Sequence, residues 1–173
     1  MPNASTTALT ITSGSTLSAP ALLSISGNYS NSGDFTDNGG TVYFSGAGQT
    51  LSGTLAGTTD DFATVEFIGS GTKSLSSNAS TTALTIGSTV TLAAPPLLTV
   101  AGSFTNSGSF TDGGGTVYFS GALTLSGTMN TATTDFNNVE FLAAGTKTLG
   151  ANASTTALTV SAGTLDVSSR LLT

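Results

Sequence analysis

The sequence predicts an all-β chain wound as a parallel β-solenoid, and three observations lead there. The segment NASTTALT occurs at residues 3–10, 78–85 and 152–159. Two complete units, residues 3–77 and 78–151, agree at about 47 of roughly 74 positions, and a partial third unit covers 152–173. Apolar residues alternate with polar ones instead of recurring every three or four positions, and Gly, Ser and Thr are abundant, which disfavours helix. Finally, the alternating triplets have a spacing of their own, recurring after about 14, 19, 23 and 19 residues, the size of one solenoid coil. Residues 1–173 therefore read as a single domain of about nine coils, about four to each ~75-residue repeat.

Taken in order, the first unit offers Leu9/Ile11, the LLSI segment from Leu22, Val42/Phe44 and Val65/Phe67 as inward pairs. Each pair flanks one outward residue, because side chains on a strand alternate between its two sides. The second unit repeats the scheme at Leu84/Ile86, Leu98/Val100, Val117/Phe119 and Val139/Phe141, and the third opens with Leu158/Val160. Stacked in register, Val42, Val65, Leu84 and Leu98 are expected to form one dry column. A third apolar row is expected from Leu17, Leu51, Leu75, Leu92, Leu125, Leu149 and Leu165, with Tyr29, Phe35, Phe104 and Phe110 filling the same space in the long coils. Turns fall at Asn31-Ser32-Gly33, Asn38-Gly39-Gly40, Asn106-Ser107-Gly108 and Gly113-Gly114-Gly115, whose residue types tolerate positive φ. Pro20 and Pro95-Pro96 belong at corners, where a missing N–H does no harm.

Composition narrows the function classes. Only 7% of residues are charged, against about 25% in ordinary globular chains. Three basic residues and a net charge of −6 provide no phosphate-neutralising patch, so neither nucleic acid nor an anionic membrane is expected as a partner. Cysteine and histidine are absent, which removes thiolate metal sites and Ser-His or Cys-His catalysis. No apolar run of about 18 residues spans a bilayer. The start, MPNASTTALT, lacks the basic and apolar regions of a signal peptide, so an export signal is expected outside this sequence.

The phrases GNYSNSGDFTDNGGTVYFSGAGQTLSG, TVEFIGSGTKSLSS and ALTITSGSTLSA resemble the β-strand repeat arrays of large bacterial surface and secreted proteins. Those arrays are akin to filamentous-haemagglutinin and autotransporter passenger stalks. The resemblance covers nearly the whole chain and carries no catalytic residues or cofactors. It implies an extracellular or cell-surface location and a mechanical role as stalk, spacer or fibre. Self-association end to end, or continuation into further repeats, is the partnership it implies.

The remaining candidates are weighed residue by residue. Asp34 with Asp37, and Asp60 with Asp61, are the closest carboxylates, but Asp34 becomes Ser109 and Asp60 becomes Thr134 in the second unit. Turn capping accounts for them better than acid/base catalysis, and no enzyme is expected. The TDNGG and TDGGG turns, with Asp37 and Asp112, carry too little ligand charge for a tight calcium site. Asn3, Asn28, Asn78 and Asn152 open N-x-S/T sequons. Glu66 with Lys73, and Glu140 with Lys147, read as solvated surface pairs. An alternative function rests on a hydroxyl row at Thr16, Thr50, Thr91, Thr124, Thr148 and Thr164, with Ser74 between them. Such a flat Thr/Ser face suits ice or a surface polysaccharide, although strand propensity alone also places Thr there. The other outward row, Thr10, Ser24, Tyr43, Glu66, Thr85, Thr99, Tyr118, Glu140 and Thr159, is interrupted by bulky and acidic groups.

Overall fold

The structure, a computed structural model, describes residues 3–57, 61–131 and 135–173. It is a parallel β-solenoid of about eight turns; among the described residues there is no helix and 56% lie in strands. Alternation does what the sequence implies: in Thr41–Phe44 and Thr116–Phe119 the Val and Phe are buried while the Thr and Tyr that alternate with them face outward. Each coil is too small to bury its own apolar residues, so the ladder to the coils above and below supplies both the hydrogen bonds and the core.

The tube has three faces. On the first, Ala4–Thr6, Leu22–Ile25, Thr41–Phe44, Phe62–Phe67 and the second half of Ala79–Ile86 are followed by Phe104–Asn106, Leu123–Gly127, Thr146–Leu149 and Thr164–Asp166. The second face stacks Leu9–Ile11, Tyr29–Asn31, Gln49–Gly53, Gly71–Leu75, Val90–Ala93 and Ser109–Thr111. The third starts with Thr16–Ser18 on Asp34–Thr36. After Leu55 it continues through residues 79–81, Leu97–Val100, Thr116–Phe119, Phe136–Phe141 and Thr155–Val160.

The register corrects one expectation. Val42, Val65 and Leu84 do lie in one column, but Leu98 lies on Ala79, and Leu84 carries Phe104 instead. The reason is numerical: the first unit supplies ten strands and the Leu55 bridge, eleven positions among the described residues. Eleven positions on a three-sided tube make three and two-thirds turns, so each repeat begins one face behind its predecessor. Ala4, Ala79 and Ala153 accordingly fall on the first, third and second faces.

The same offset divides the expected third apolar row. Leu51 and Leu75 stack with Tyr29 on the second face, and Leu125 and Leu149 stack with Phe104 on the first. Leu17 pairs with Phe35, Leu92 lies between Lys73 and Phe110, and Leu165 follows Lys147.

NASTTALT is the corner-forming element. The hydroxyls of Thr6, Thr81 and Thr155 each donate to the carbonyl two residues on, those of Ala8, Ala83 and Ala157, at 2.8, 2.9 and 2.9 Å. This local bond marks the corner; in the middle copy the strand Ala79–Ile86 runs unbroken across it, whereas the first copy divides into Ala4–Thr6 and Leu9–Ile11. Gly27 roofs the first such corner and Gly102 the second: a Cβ there would lie 2.2 Å from the Thr7 carbonyl oxygen or 2.7 Å from that of Thr82. Inside the tube, Phe62 packs against Tyr29, Phe35 and Phe44 with ring centroids 5.5–5.9 Å apart. Phe136 repeats the arrangement with Phe104, Phe110 and Phe119 at 5.4–5.9 Å. Edge-on aromatic contacts of this kind add to the area they bury.

Candidate functional site

The outward rows are the first candidates, and the rotation of the repeat redistributes them. Thr50 and Thr91 share the second face, Thr124, Thr148 and Thr164 lie on the first, and Thr16 lies on the third. Thr50 is in register with Ser74, and Thr91 with Thr72 and Ser109. Thr124 aligns with Thr148, Thr164 with Thr146, and Thr16 with Asp34. The six threonines therefore do not make a single ladder. The second face nevertheless presents three short hydroxyl-rich columns: Thr10–Ser30–Ser52, Thr50–Ser74–Ala93–Thr111 and Thr72–Thr91–Ser109.

The other outward row splits likewise. Ser24, Tyr43, Glu66 and Thr85 run along the first face, while Thr99, Tyr118, Glu140 and Thr159 run along the third. Thr10 belongs to neither, lying on the second face with Ser30. Two Tyr-Glu steps thus point in different directions, one face apart.

The carboxylates act on backbone. Asp37 accepts from the N–H of Gly39 at 2.9 Å and from the N–H of Ala63 one turn above. Asp112 accepts from Gly114 at 3.1 Å and from Asn137. These are Asx turns that also tie adjacent coils, with Asn38, Gly39, Gly113 and Gly114 at positive φ as the turn requires. Asp34 is exposed and receives a hydrogen bond from the Thr16 hydroxyl at 3.4 Å. Asp60 and Thr134 lie outside the described residues. No group of three or more Asp or Glu among the described residues could hold a metal ion.

The two lysines depart most from expectation. Lys73 and Lys147 are fully buried, so neither forms a solvated pair with Glu66 or Glu140. The Lys73 Nζ donates to the carbonyls of Gly46, one turn below, and of Ser70 at 3.0 Å. The Lys147 Nζ donates to the carbonyls of Ala143 and of Gly145 at 3.4 Å. Burial pushes the Lys73 ammonium below the usual lysine range. One turn below Lys73, buried Gln49 does similar work, donating to the carbonyls of Ile25 at 3.0 Å and Gly27 while accepting from the Gly46 N–H at 2.9 Å. These side chains meet carbonyls at the corner turns; those of Ile25 and Gly145 also accept from the backbone N–H groups of Ser45 and Thr164 one turn above. Glu140 instead accepts from the Ser161 hydroxyl.

Buried Asn31 and Asn106 were read from sequence only as turn formers, but each also joins coils. Asn31 donates to Thr54 at 3.1 Å and accepts from Gly33 at 3.1 Å; Asn106 donates to Thr128 at 2.8 Å and accepts from Gly108 at 3.0 Å. The four sequon asparagines are exposed. Two of them brace the coils: the Asn28 Oδ1 accepts from Thr50 and the Asn152 Oδ1 from Leu171, at 2.9 and 3.0 Å.

Two small, largely apolar recesses, with room for no more than about one water molecule each, occupy equivalent places in the two repeats. Phe62, Val65 and Leu84 line one, and Phe136, Val139 and Leu158 the other. Among the described residues no helix is long and apolar enough to cross a membrane. Comparison with protein-family models, curated proteins and solved structures finds no match.

Proposed function

We propose that the chain is a structural segment of an extracellular or cell-surface fibre or stalk, of the bacterial β-strand-repeat kind that its sequence resembles, able to stack end to end. The observation that carries this reading is the continuity of ladder and core along one axis. Every repeat adds turns that pack on those below, and buried Asn31, Gln49, Lys73 and Asn106 each join one turn to the next. Its partners on this reading are further repeats or copies of itself. Nucleic acid is not among them, since two of the three basic side chains are buried. Electron microscopy of the purified chain tests the reading. Rods on the order of 40 Å long, single or joined end to end, are expected from about eight turns at ~4.8 Å; compact isometric particles would overturn it.

A second reading is supported by the second face, whose paired strand positions at Thr10–Ser30–Ser52 and Thr50–Ser74–Ala93–Thr111 present hydroxyls and one small apolar group. Ice or a surface polysaccharide is the ligand class that suits it. Changing Thr50 and Thr91 to Tyr should abolish ice-growth inhibition or polysaccharide retention on that reading, whereas a stalk would show neither activity before or after the change.

A further inference from the structure

Two outward steps survive the drift between the repeats. Tyr43 and Glu66 are register partners on the first face, between Ser24 on one side and Thr85 on the other. Tyr118 and Glu140 are register partners on the third face, between Thr99 and Thr159. Other outward positions change from unit to unit, Asp34 to Ser109 and Thr64 to Asn138 among them, yet this aromatic and this acid stay together and in the same order. All four side chains are partly exposed. The acids differ in what already holds them. Asp37 and Asp112 are taken up by backbone N–H groups. Glu140 accepts from the Ser161 hydroxyl, and Glu66 has no such partner among the described residues. Nor do the repeats supply a cation: Lys73 and Lys147 are buried, and Arg170 stands where the complete units carry Ala21 and Pro96.

A carboxylate without a cation of its own, set one strand beyond an aromatic ring, is complementary to an ammonium carried on an apolar stem. Adjacent strands lie ~4.8 Å apart, so a lysine whose methylene stem crosses the ring brings its ammonium to the carboxylate. We propose that Tyr43 with Glu66, and Tyr118 with Glu140, are two copies of a lysine-binding site, and that their partner is a flexible basic segment of another polypeptide lying along the flank of the tube. A second copy of this chain does not fit, because its own lysines are buried. The inference concerns the flanks and stands whether or not tubes join end to end. Register decides the kind of partner. The two sites are three and two-thirds turns apart, so they look out from different faces and stand ~18 Å apart along the axis. A rigid or flat surface meets only one of them. An extended polypeptide advances about 3.3–3.6 Å per residue, so about eight residues reach from one site round the corner to the next. Each site is weak alone, because its groups stay partly hydrated and are screened by salt.

The test reads each site through its own ring. Of the three tyrosines Tyr29 is buried, so the ring signals of Tyr43 and Tyr118 report the two sites separately by nuclear magnetic resonance, assigned with Tyr43→Phe and Tyr118→Phe. The probe is a peptide of about ten alternating lysine and serine residues, long enough to span both sites. At low salt it should shift both ring signals, and the shifts should fade at high salt. Glu66→Gln should weaken the binding read at Tyr43 roughly threefold to fivefold, the size of one exposed charge contact, and leave Tyr118 as it was. Glu140→Gln should do the reverse. Asp34→Asn removes the same charge at an exposed acid that is register partner to neither ring, and should alter neither signal. Equal weakening at both rings by all three substitutions would reduce the attraction to net charge and overturn the site. Ring shifts with a cellulose hexasaccharide and none with the peptide would overturn the lysine assignment in favour of a sugar-binding face, and no shift with either would overturn it outright. Each substituted side chain is at the surface, and strand content by circular dichroism confirms that each variant folds.

Discussion

Lys73 sits where the alternating pattern demands an inward side chain, two residues before the inward Leu75, and the tube accepts it because its ammonium finds carbonyls to bind. The same position reads Gln49, Val90, Leu123 and Lys147 in other coils, all buried. These residues share a place in their strands but not one column, since Lys73 stacks on Gln49 and under Leu92 while Leu123 and Lys147 pair on another face. A lysine near a glutamate was read as surface because burial of an unpaired charge is rare. Burial lowers the Lys73 pKa from its ordinary value of 10.5. Between the folded value and 10.5 the unfolded chain therefore binds more protons, and folding stability rises with pH across that window. Denaturant unfolding of the chain and of Lys73→Met, run from neutral pH towards 10.5, should show the unaltered chain gaining stability relative to the variant. A parallel pair of curves would contradict the buried ammonium. Phe62 tests the core at the same scale. Its ring touches three other rings, and Phe62→Ala should cost about 3–5 kcal/mol in the same measurement.

Among the elements, the bent strand is what the repeated NASTTALT encodes. Its Thr81 side chain is buried and bonded within the strand, so Thr81→Val keeps the shape but removes the bond that closes the corner. A loss of about 1–2 kcal/mol in unfolding free energy is expected, and an unchanged stability would mean that the corner forms without it. A glycine turn provides a second check. Gly71 has φ +72°, and a Cβ would lie 1.8 Å from the Ala47 carbonyl oxygen. Gly71→Ala should therefore destabilise by more than the ~1–3 kcal/mol of backbone strain alone. Strand positions and inward residues such as Val42, Phe44, Val117 and Phe119 were legible because alternation leaves little freedom. The turn carboxylates Asp37 and Asp112 were legible as Asx turns, for the same local reason. Their second bonds, to Ala63 and Asn137 one turn above, were hidden because coil-to-coil pairing depends on register and not on neighbours in sequence.

At the scale of the molecule, register decides what each face displays. The eye aligns repeats one beneath another, and on that basis Leu98 was placed over Leu84 and six threonines on one ladder. The coils, however, have unequal lengths: Leu84 sits 19 residues after its partner Val65, while Val65 sits 23 after Val42. Strand count divided by three faces, and not repeat length, sets the phase, so the candidate hydroxyl row spreads over all three sides. The most direct measurement of this claim is site-directed cross-linking of outward residues with a short thiol-to-thiol reagent, on a chain free of native cysteine. Ser80→Cys with Thr99→Cys, which are register partners, should cross-link efficiently within one molecule, while Thr85→Cys with Thr99→Cys should not. Efficient linking of Thr85 to Thr99, with Ser80 and Thr99 remaining apart, would mean four whole turns to the repeat and would contradict the three-faced register.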